Sequence, residues 1–283
     1  MLEFENVSYV YGEGTPFKKL ALDNVSFTIP EGKVTGIIGH TGSGKSTMSL
    51  LMNGLIAPNS GRILLHGEDI NAKGVSKRDI RFKVGLVFQY PEYQLFEETV
   101  EKDIAYGPKN MGLSDEDIQE RILYAAHFTG IDNEMLKKSP FELSGGQKRR
   151  VAIAGVIAMD PEILVLDEPA AGLDPRGKNE ILGGLCDFRK KRDNTLVIIS
   201  HSMEDIAYYC DNIITLADGK VLLQGTPDEV FSKQSLLKEN GLAVPEVTEI
   251  MAKLKKDGYN VNDGCYTIKS AVQELKKLFA DKK

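Results

Sequence analysis

The chain has 283 residues, 42% of them apolar and 27% charged, a balance that supports a large buried core, and the default reading is one large domain plus an appendage. No apolar run approaches the ~18 to 20 residues that cross a bilayer; the longest, around "VAIAGVIAM", is about half that, which argues against a membrane span. A formal charge of −6 argues against a general nucleic-acid binder, and the run "KRR" at Lys148 to Arg150 is too short to make the concentrated basic surface that phosphate neutralisation needs.

The opening "MLEFENVSYVY" has neither a basic start nor an apolar stretch followed by small residues, so it does not read as a signal peptide and the expected location is the cytoplasm. Short strands follow with turns between them: "LEFENVSYVY", "LALDNVSFTI", the turn "PEGK", "KVTGIIG" and "GRILLHG". "KVTGIIG" is apolar almost throughout, as a strand covered on both faces in a parallel sheet should be. That character returns in "VGLVFQ", "EILVLDE" and "TLVIIS". Between them run helices: one follows the first glycine-rich loop through Leu50, Leu51 and Leu55. Another opens at Ser114 with Asp117 as a capping box and continues through Ile118, Ile122 and Ala126. A third buries Ile181, Leu185 and Phe188. Strands alternating with helices give an α/β domain with a mostly parallel sheet. Asp218-Gly219 marks a hairpin between two apolar runs. A domain boundary is placed near residue 226, giving 1–225 and 226–283. In the second part Val247, Ile250, Met251 and Leu254 share a helix face after Pro245, "GYNVNDGCYTI" reads as a small hairpin, and Val272, Leu275 and Phe279 line a last helix. Cys186, Cys210 and Cys265 are odd in number and in no metal-ligand spacing, so all three read as reduced thiols.

Gly39-His40-Thr41-Gly42-Ser43-Gly44-Lys45-Ser46-Thr47 contains G-x-x-x-x-G-K-[ST] between an apolar strand and a helix. The glycines let consecutive N–H groups converge on phosphate oxygens, Lys45 supplies positive charge to the β- and γ-phosphates, and the Ser46 hydroxyl is a ligand for Mg²⁺. "ILVLDEP" delivers Asp167 to the end of a buried strand to hold the Mg²⁺ shell, and Glu168 beside it can polarise an attacking water. His201 follows "TLVIIS" as a candidate γ-phosphate contact. Gln89 ends "VGLVFQ" either as an amide that touches Mg²⁺ and water or as a plain turn residue. A second glycine-rich helix start lies at "LSGGQ", Leu143 to Gln147. If the first loop already cradles a triphosphate, this second one either serves another ligand or caps the γ-phosphate from a two-fold-related chain.

The order of phosphate loop, Gln89, "LSGGQ", "ILVLDEP", "AGLD" and His201 resembles the ATP-binding-cassette (ABC) ATPases over residues 1 to about 230. The resemblance implies the ABC type of P-loop NTPase fold: a mostly parallel core, an antiparallel β subdomain, a helical subdomain at roughly 90–160 and a small α+β C-terminal extension. It also implies that Ser144, Gly145, Gly146 and Gln147 reach ATP in trans, that Asp174 links two sites across an interface, and that an aromatic near Tyr11 stacks on adenine, with Tyr9 and Phe17 as neighbours able to substitute. "VFQYPEYQLFEETVEKDIAYGPKNMGL", "LSGGQKRRVAIAGVIAM" and "DEPAAGLDP" look further like the A components of energy-coupling factor (ECF) transporters, the cytoplasmic motors of vitamin and transition-metal uptake. "GTPFKKLALDNVSF" is more similar to the second A paralogue of group II systems. The implied assembly is a heterodimer with a sister ATPase, a homodimer being the alternative. It is bound peripherally to a transmembrane T component with exchangeable substrate-binding S components and uses ATP and Mg²⁺. Tyr90, Tyr93 and Phe96 stand either in a groove for a partner helix or in the core. The competing class is a soluble, non-transport ABC ATPase; its ribosome and repair types usually carry two cassettes or a long coiled insertion, and the sequence shows neither.

Overall fold

Alternating apolar residues lay down the first strands, and the alternation breaks where the backbone does. In the computed structural model, which describes residues 1–280, β1 (Leu2–Tyr11) buries Leu2, Phe4 and then Val7, the register slipping around Asn6 at φ +49°. It pairs antiparallel with β2 (Lys19–Ile29) and, on its other side, with β4 (Ser60–Leu65), which carries the two-residue β5 (Glu68–Asp69). These four strands form one sheet.

The second sheet is the one that positions chemistry. Its order is β10-β9-β3-β8-β7-β6, with β3 (Val34–Gly39), β6 (Val84–Val87), β7 (Ile163–Asp167), β8 (Thr195–Ile199) and β9 (Asn212–Ala217) parallel, and β10 (Lys220–Gly225) antiparallel at the edge. Every residue of β3, β6, β7 and β8 is buried, which is why these runs are apolar throughout rather than alternating. Asp218 and Gly219, at φ +47° and +77°, make the expected turn between β9 and β10.

Helix α1 (Lys45–Met52) is shorter than expected, stopping before Leu55. Asn53 caps it, Gly54 turns left-handed at φ +69°, and the Leu55 N–H closes back on the Leu50 carbonyl at 3.0 Å, ending the helix in a Schellman-type lock. After α2 (Lys77–Lys83) and β6, four helices cluster: α3 (Val100–Met111), α4 (Asp115–Thr129), the single-turn α5 (Asn133–Leu136) and α6 (Gly145–Ile157). Ser114 accepts the Asp117 N–H at 3.2 Å, but the Asp117 carboxylate turns to the Ser114 hydroxyl, 2.6 Å away, so only half of the capping box forms. Helix α7 (Pro175–Arg192) buries Ile181, Leu185 and Phe188 as its periodicity requires, and Phe188 meets Phe128 and Tyr124 edge-on. Phe188→Ala should cost about 3–5 kcal/mol, read as a lowered midpoint in denaturant unfolding.

After α8 (Met203–Tyr209) and β10, the C-terminal part differs from expectation in three respects. The boundary near residue 226 falls too early: α9 (Pro227–Phe231) and α10 (Gln234–Glu239) bury Val230, Phe231 and Leu237 in the main core, together with Leu242 and Val244. A separate small cluster begins only with α11 (Glu246–Lys256) and closes with α12 (Ile268–Ala280), holding Met251, Val261, Cys265 and Ala271. No hairpin forms over "GYNVNDGCYTI", so the described part of the extension is helical rather than α+β. Val261 and Cys265 both turn into the cluster, and Asn262 Oδ1 accepts the Gly264 N–H at 2.9 Å, bending the chain where a strand would run straight. The packed stripes are also rotated: Val247, Met251 and Leu254 face Ala271, Leu275 and Leu278, leaving Ile250, Val272 and Phe279 exposed. All three cysteines are free.

Candidate active site

The C-terminal ends of β3, β8, β7 and β6 lie side by side, and each leads into one of the sequence's marked segments. Gly39 ends β3. A Cβ there would come within 2.4 Å of Ser43 Oγ and 2.7 Å of the Leu216 carbonyl, so only glycine lets the loop fold back over the strand. Gly44, at φ +108°, precedes α1 without offering a side-chain cap, and its missing Cβ would strike Leu22. The first N–H groups of α1 are therefore open at the loop's mouth. Lys45 is buried beneath it, donating to the Gly39 carbonyl at 2.7 Å and the His40 carbonyl at 3.0 Å. His40 and Thr41 flank this turn, with the Ser43 N–H closing on the His40 carbonyl at 3.1 Å.

Ser46 and Asp167 meet, the hydroxyl donating to Asp167 Oδ2 at 3.0 Å across 121 residues of sequence. Glu168 follows in the left-handed region at φ +53°, unusual for a residue with a side chain. Its N–H donates to the Ile199 carbonyl at 2.9 Å, so the end of β8 fixes its place. His201 Nε2 lies 3.5 Å from Glu168 Oε1, an oxygen with no hydrogen-bond donor. Burial, and then the neighbouring Asp167 charge, push the Glu168 carboxyl up from its ordinary 4.5 to about 7. Burial also raises Asp167 against the pull of the Ser46 hydroxyl, and lowers Lys45 against the attraction of Glu168 and Asp167. The His201 imidazole is lowered by burial and then by the Lys45 charge.

The remaining expected residues are placed without being joined to this cluster. Gln89 is exposed, two residues past β6, the strand beside the one carrying Asp167; among the described residues no hydrogen bond ties it to Ser46, Asp167 or Glu168. Tyr11 is 40% exposed, edge-on to Tyr9, and its hydroxyl sits 3.2 Å from Thr47 Oγ1 at the start of α1. Phe17 is 88% exposed. Ser144 caps α6: it accepts the Gln147 N–H at 3.3 Å while Gln147 Oε1 accepts the Ser144 N–H at 3.0 Å, a complete capping box. Gln147 is thus occupied in holding the helix start, and Gly145 and Gly146 carry its first N–H groups. Asp174 caps α7 through the Gly177 N–H at 2.7 Å. Tyr90, Tyr93 and Phe96, open between groove and core from sequence, are on the surface at 56%, 84% and 57% exposure.

Sequence reasoning missed one residue here. Within "KRR", Arg149 is buried and Arg150 is spent on Glu180 and the Thr129 carbonyl, so both arginines of the run serve internal contacts rather than a basic surface. Helical spacing from the Ser144 cap would have turned Arg149 inward, the one available signal.

An ABC transporter family model matches residues 22–171. The chain is 52% identical over 282 residues to the energy-coupling factor transporter ATP-binding protein EcfA2 of Clostridium tetani, covering 99% of this chain and 98% of that one. It is 51% identical over 283 residues to the EcfA2 protein of Clostridium acetobutylicum, covering 100% and 99%. Among solved structures, CbiO1 of Clostridium perfringens, described as part of the ABC transporter complex cbiONQ, superposes with a TM-score of 0.75 at 39% identity over 89% of this chain and 98% of that one. The ATP-binding cassette MJ0796, solved as a dimer in a post-hydrolysis state with ADP and Pi, gives 0.72 at 29% identity over 80% and 98%.

Proposed function

This chain belongs to the ABC transporter ATPases and, within them, to the ATP-binding subunits of ECF transporters, and from that membership we propose how its residues do the work. It is an ATPase whose turnover drives import. The observation that carries the assignment of roles is the meeting of Lys45, Ser46, Asp167 and Glu168 beyond the ends of β3 and β7, the strands on either side of β8, with Ser46 and Asp167 3.0 Å apart. Lys45 and the open N–H groups at the start of α1 take the β- and γ-phosphates within the loop Gly39 to Thr47, and Tyr11 lies at the loop's edge as the adenine platform. Glu168, ionised and with His201 beside it, accepts the proton of the attacking water; Gln89 orients that water.

Magnesium belongs to this reading. Two hard oxygen donors at hydrogen-bond separation, beside a buried carboxylate oxygen that lacks a donor, suit a hard divalent cation better than a soft one. Ser46, Asp167 and Gln89 are the residues that would hold it, and when bound it would supply positive charge that neutralises the phosphates.

Ser144, Gly145 and Gly146 serve the nucleotide of a second chain, with Asp174 at the seam. At the start of α6 Ser144 and Gly145 are exposed, Gly146 and Gln147 are half-buried, and none of them makes a hydrogen bond to the chain's own phosphate loop among the described residues. Residues 1 to about 244 form the nucleotide-binding domain, with its helical part at roughly 90–160, and the cluster of α11 and α12 supports the dimer. Tyr90, Tyr93 and Phe96 receive a helix of the transmembrane T component, which places the chain at the cytoplasmic face of the membrane beside exchangeable S components. No helix among the described residues is long and apolar enough to cross a membrane. A mild-detergent pull-down from native membranes, read by mass spectrometry, should recover a second cassette ATPase with membrane subunits; recovery of soluble partners alone would remove the membrane assembly while leaving the ATPase chemistry.

A further inference from the structure

Arg149 lies two residues past Gln147 in α6, with only 5% of its surface exposed. One arm of its guanidinium donates to the Ala171 carbonyl, in the loop between β7 and α7 that leads to Asp174. The other lies 3.3 Å from both carboxylate oxygens of Glu92, in the short 3₁₀ turn Pro91–Gln94 that follows Gln89. The Glu92 side chain is itself 19% exposed, so the pair is largely out of water. The same β7–α7 loop also rests directly on α6: a Cβ on Gly146 would meet Leu173 Cδ2 at 3.1 Å. One buried cation therefore joins the partner-facing loop, the start of α6 and the approach to Asp174.

A buried guanidinium is a poor choice for packing alone. It carries a desolvation cost that a well-packed apolar residue avoids, and here the Nε hydrogen has no acceptor. What it offers is conditional stability. If the Gln89 loop shifts and takes Glu92 with it, the cation keeps its tie to Ala171 and loses its counter-charge, which penalises any state in which the two loops move separately. We infer that Arg149, through Glu92, is the positioning residue that makes the partner-facing loop and the β7–α7 loop move as one with the start of α6. The inference rests on the transport reading for its consequence, though not for its geometry.

Two measurements test it. In the complete transporter in vesicles, Arg149→Gln and Glu92→Gln should each lower uptake per ATP hydrolysed roughly 2- to 30-fold while hydrolysis itself changes little. The double variant should be no worse than either single, and Arg149→Lys, which keeps the charge but lacks the fork, should recover part of the loss. Parallel loss of hydrolysis, uptake and melting temperature would mark Arg149 as merely structural and overturn the inference. Absence of ATP-driven uptake in the unsubstituted complex would instead count against the transport reading. The second measurement stands apart from transport: in the chain carrying Glu168→Gln, ATP should slow amide exchange over residues 89–97 and 171–174 together. Arg149→Gln should confine that protection to 171–174. Equal protection of both segments in the Arg149 variant overturns the inference whatever the vesicles show.

Discussion

Replacing Glu168 by glutamine is expected to lower ATP turnover about 10²- to 10⁴-fold while ATP still binds, so that the variant accumulates as a nucleotide-loaded dimer in size-exclusion chromatography. Glu168 occupies the left-handed region at φ +53°, a position that costs a residue with a side chain about 1–2 kcal/mol and is held by its N–H bond to the Ile199 carbonyl. Glutamine keeps the size and the backbone but cannot accept a proton. The carboxyl, raised from 4.5 to about 7, is matched to proton transfer near neutrality, and it must be ionised to act as a base. Turnover of the unsubstituted protein should therefore climb as pH rises through about 7, and residual turnover of the glutamine variant should not. The stability change carries the opposite sign. A carboxyl whose folded-state value is raised favours folding fully below about 4.5, and that contribution drains away as pH rises to about 7. Nucleotide-free Glu168→Gln should accordingly be more stable than the parent at pH 8, by about 2 kcal/mol, and no more stable at pH 4. Equal turnover in variant and parent would take Glu168 out of the role assigned to it.

The strands that carry the site were legible because burial on both faces leaves an unmistakable apolar run: β3, β7 and β8 begin and end within a residue or two of "KVTGIIG", "EILVLDE" and "TLVIIS". The residues at their ends were legible because chemistry restricts the choice there. Lys45, Ser46, Asp167 and Glu168 converge as the motifs require. Less legible was anything decided by side-chain competition. Gln147 reads as part of a ligand-binding motif and is found closing a capping box; Asp117 reads as a capping partner and is found bonding the cap's hydroxyl. Arg149 reads as part of a basic run, and only tertiary contact with Glu92 and Ala171 shows it to be internal. The C-terminal part misled for a different reason. Between Tyr259 and Ile268 a glycine and alternating apolar residues give the signal of a hairpin, yet Val261 and Cys265 pack into one small cluster and this stretch belongs to neither sheet. Val230, Phe231 and Leu237 look like the start of an appendage but are needed to complete the main core, a long-range requirement with no local mark.

Lys45→Ala should abolish the nucleotide-induced rise in melting temperature while leaving the nucleotide-free protein as stable as before or slightly more so. Two opposed effects lie behind that split. Burial works against the ammonium group more than Glu168 and Asp167 support it, so in the empty protein Lys45 is held at a cost, anchored by the Gly39 and His40 carbonyls at 2.7 and 3.0 Å. Removing it relieves that cost and leaves two accepting carbonyls short of one donor each, terms of similar size. The nucleotide-bound state has no such compensation. Truncating one partner of a desolvated, charge-assisted contact costs about 2–5 kcal/mol, roughly 30- to 5,000-fold in affinity. Arginine should not rescue binding: its planar fork cannot enter the turn where a single ammonium reaches both the Gly39 and His40 carbonyls, although the charge is kept. The check is differential scanning of wild type, Lys45→Ala and Lys45→Arg, each with and without ATP. A full nucleotide-dependent shift in either variant would mean that the open N–H groups of the loop hold the phosphates without Lys45. A collapse of the nucleotide-free alanine variant would mean that Lys45 holds the loop together rather than the ligand.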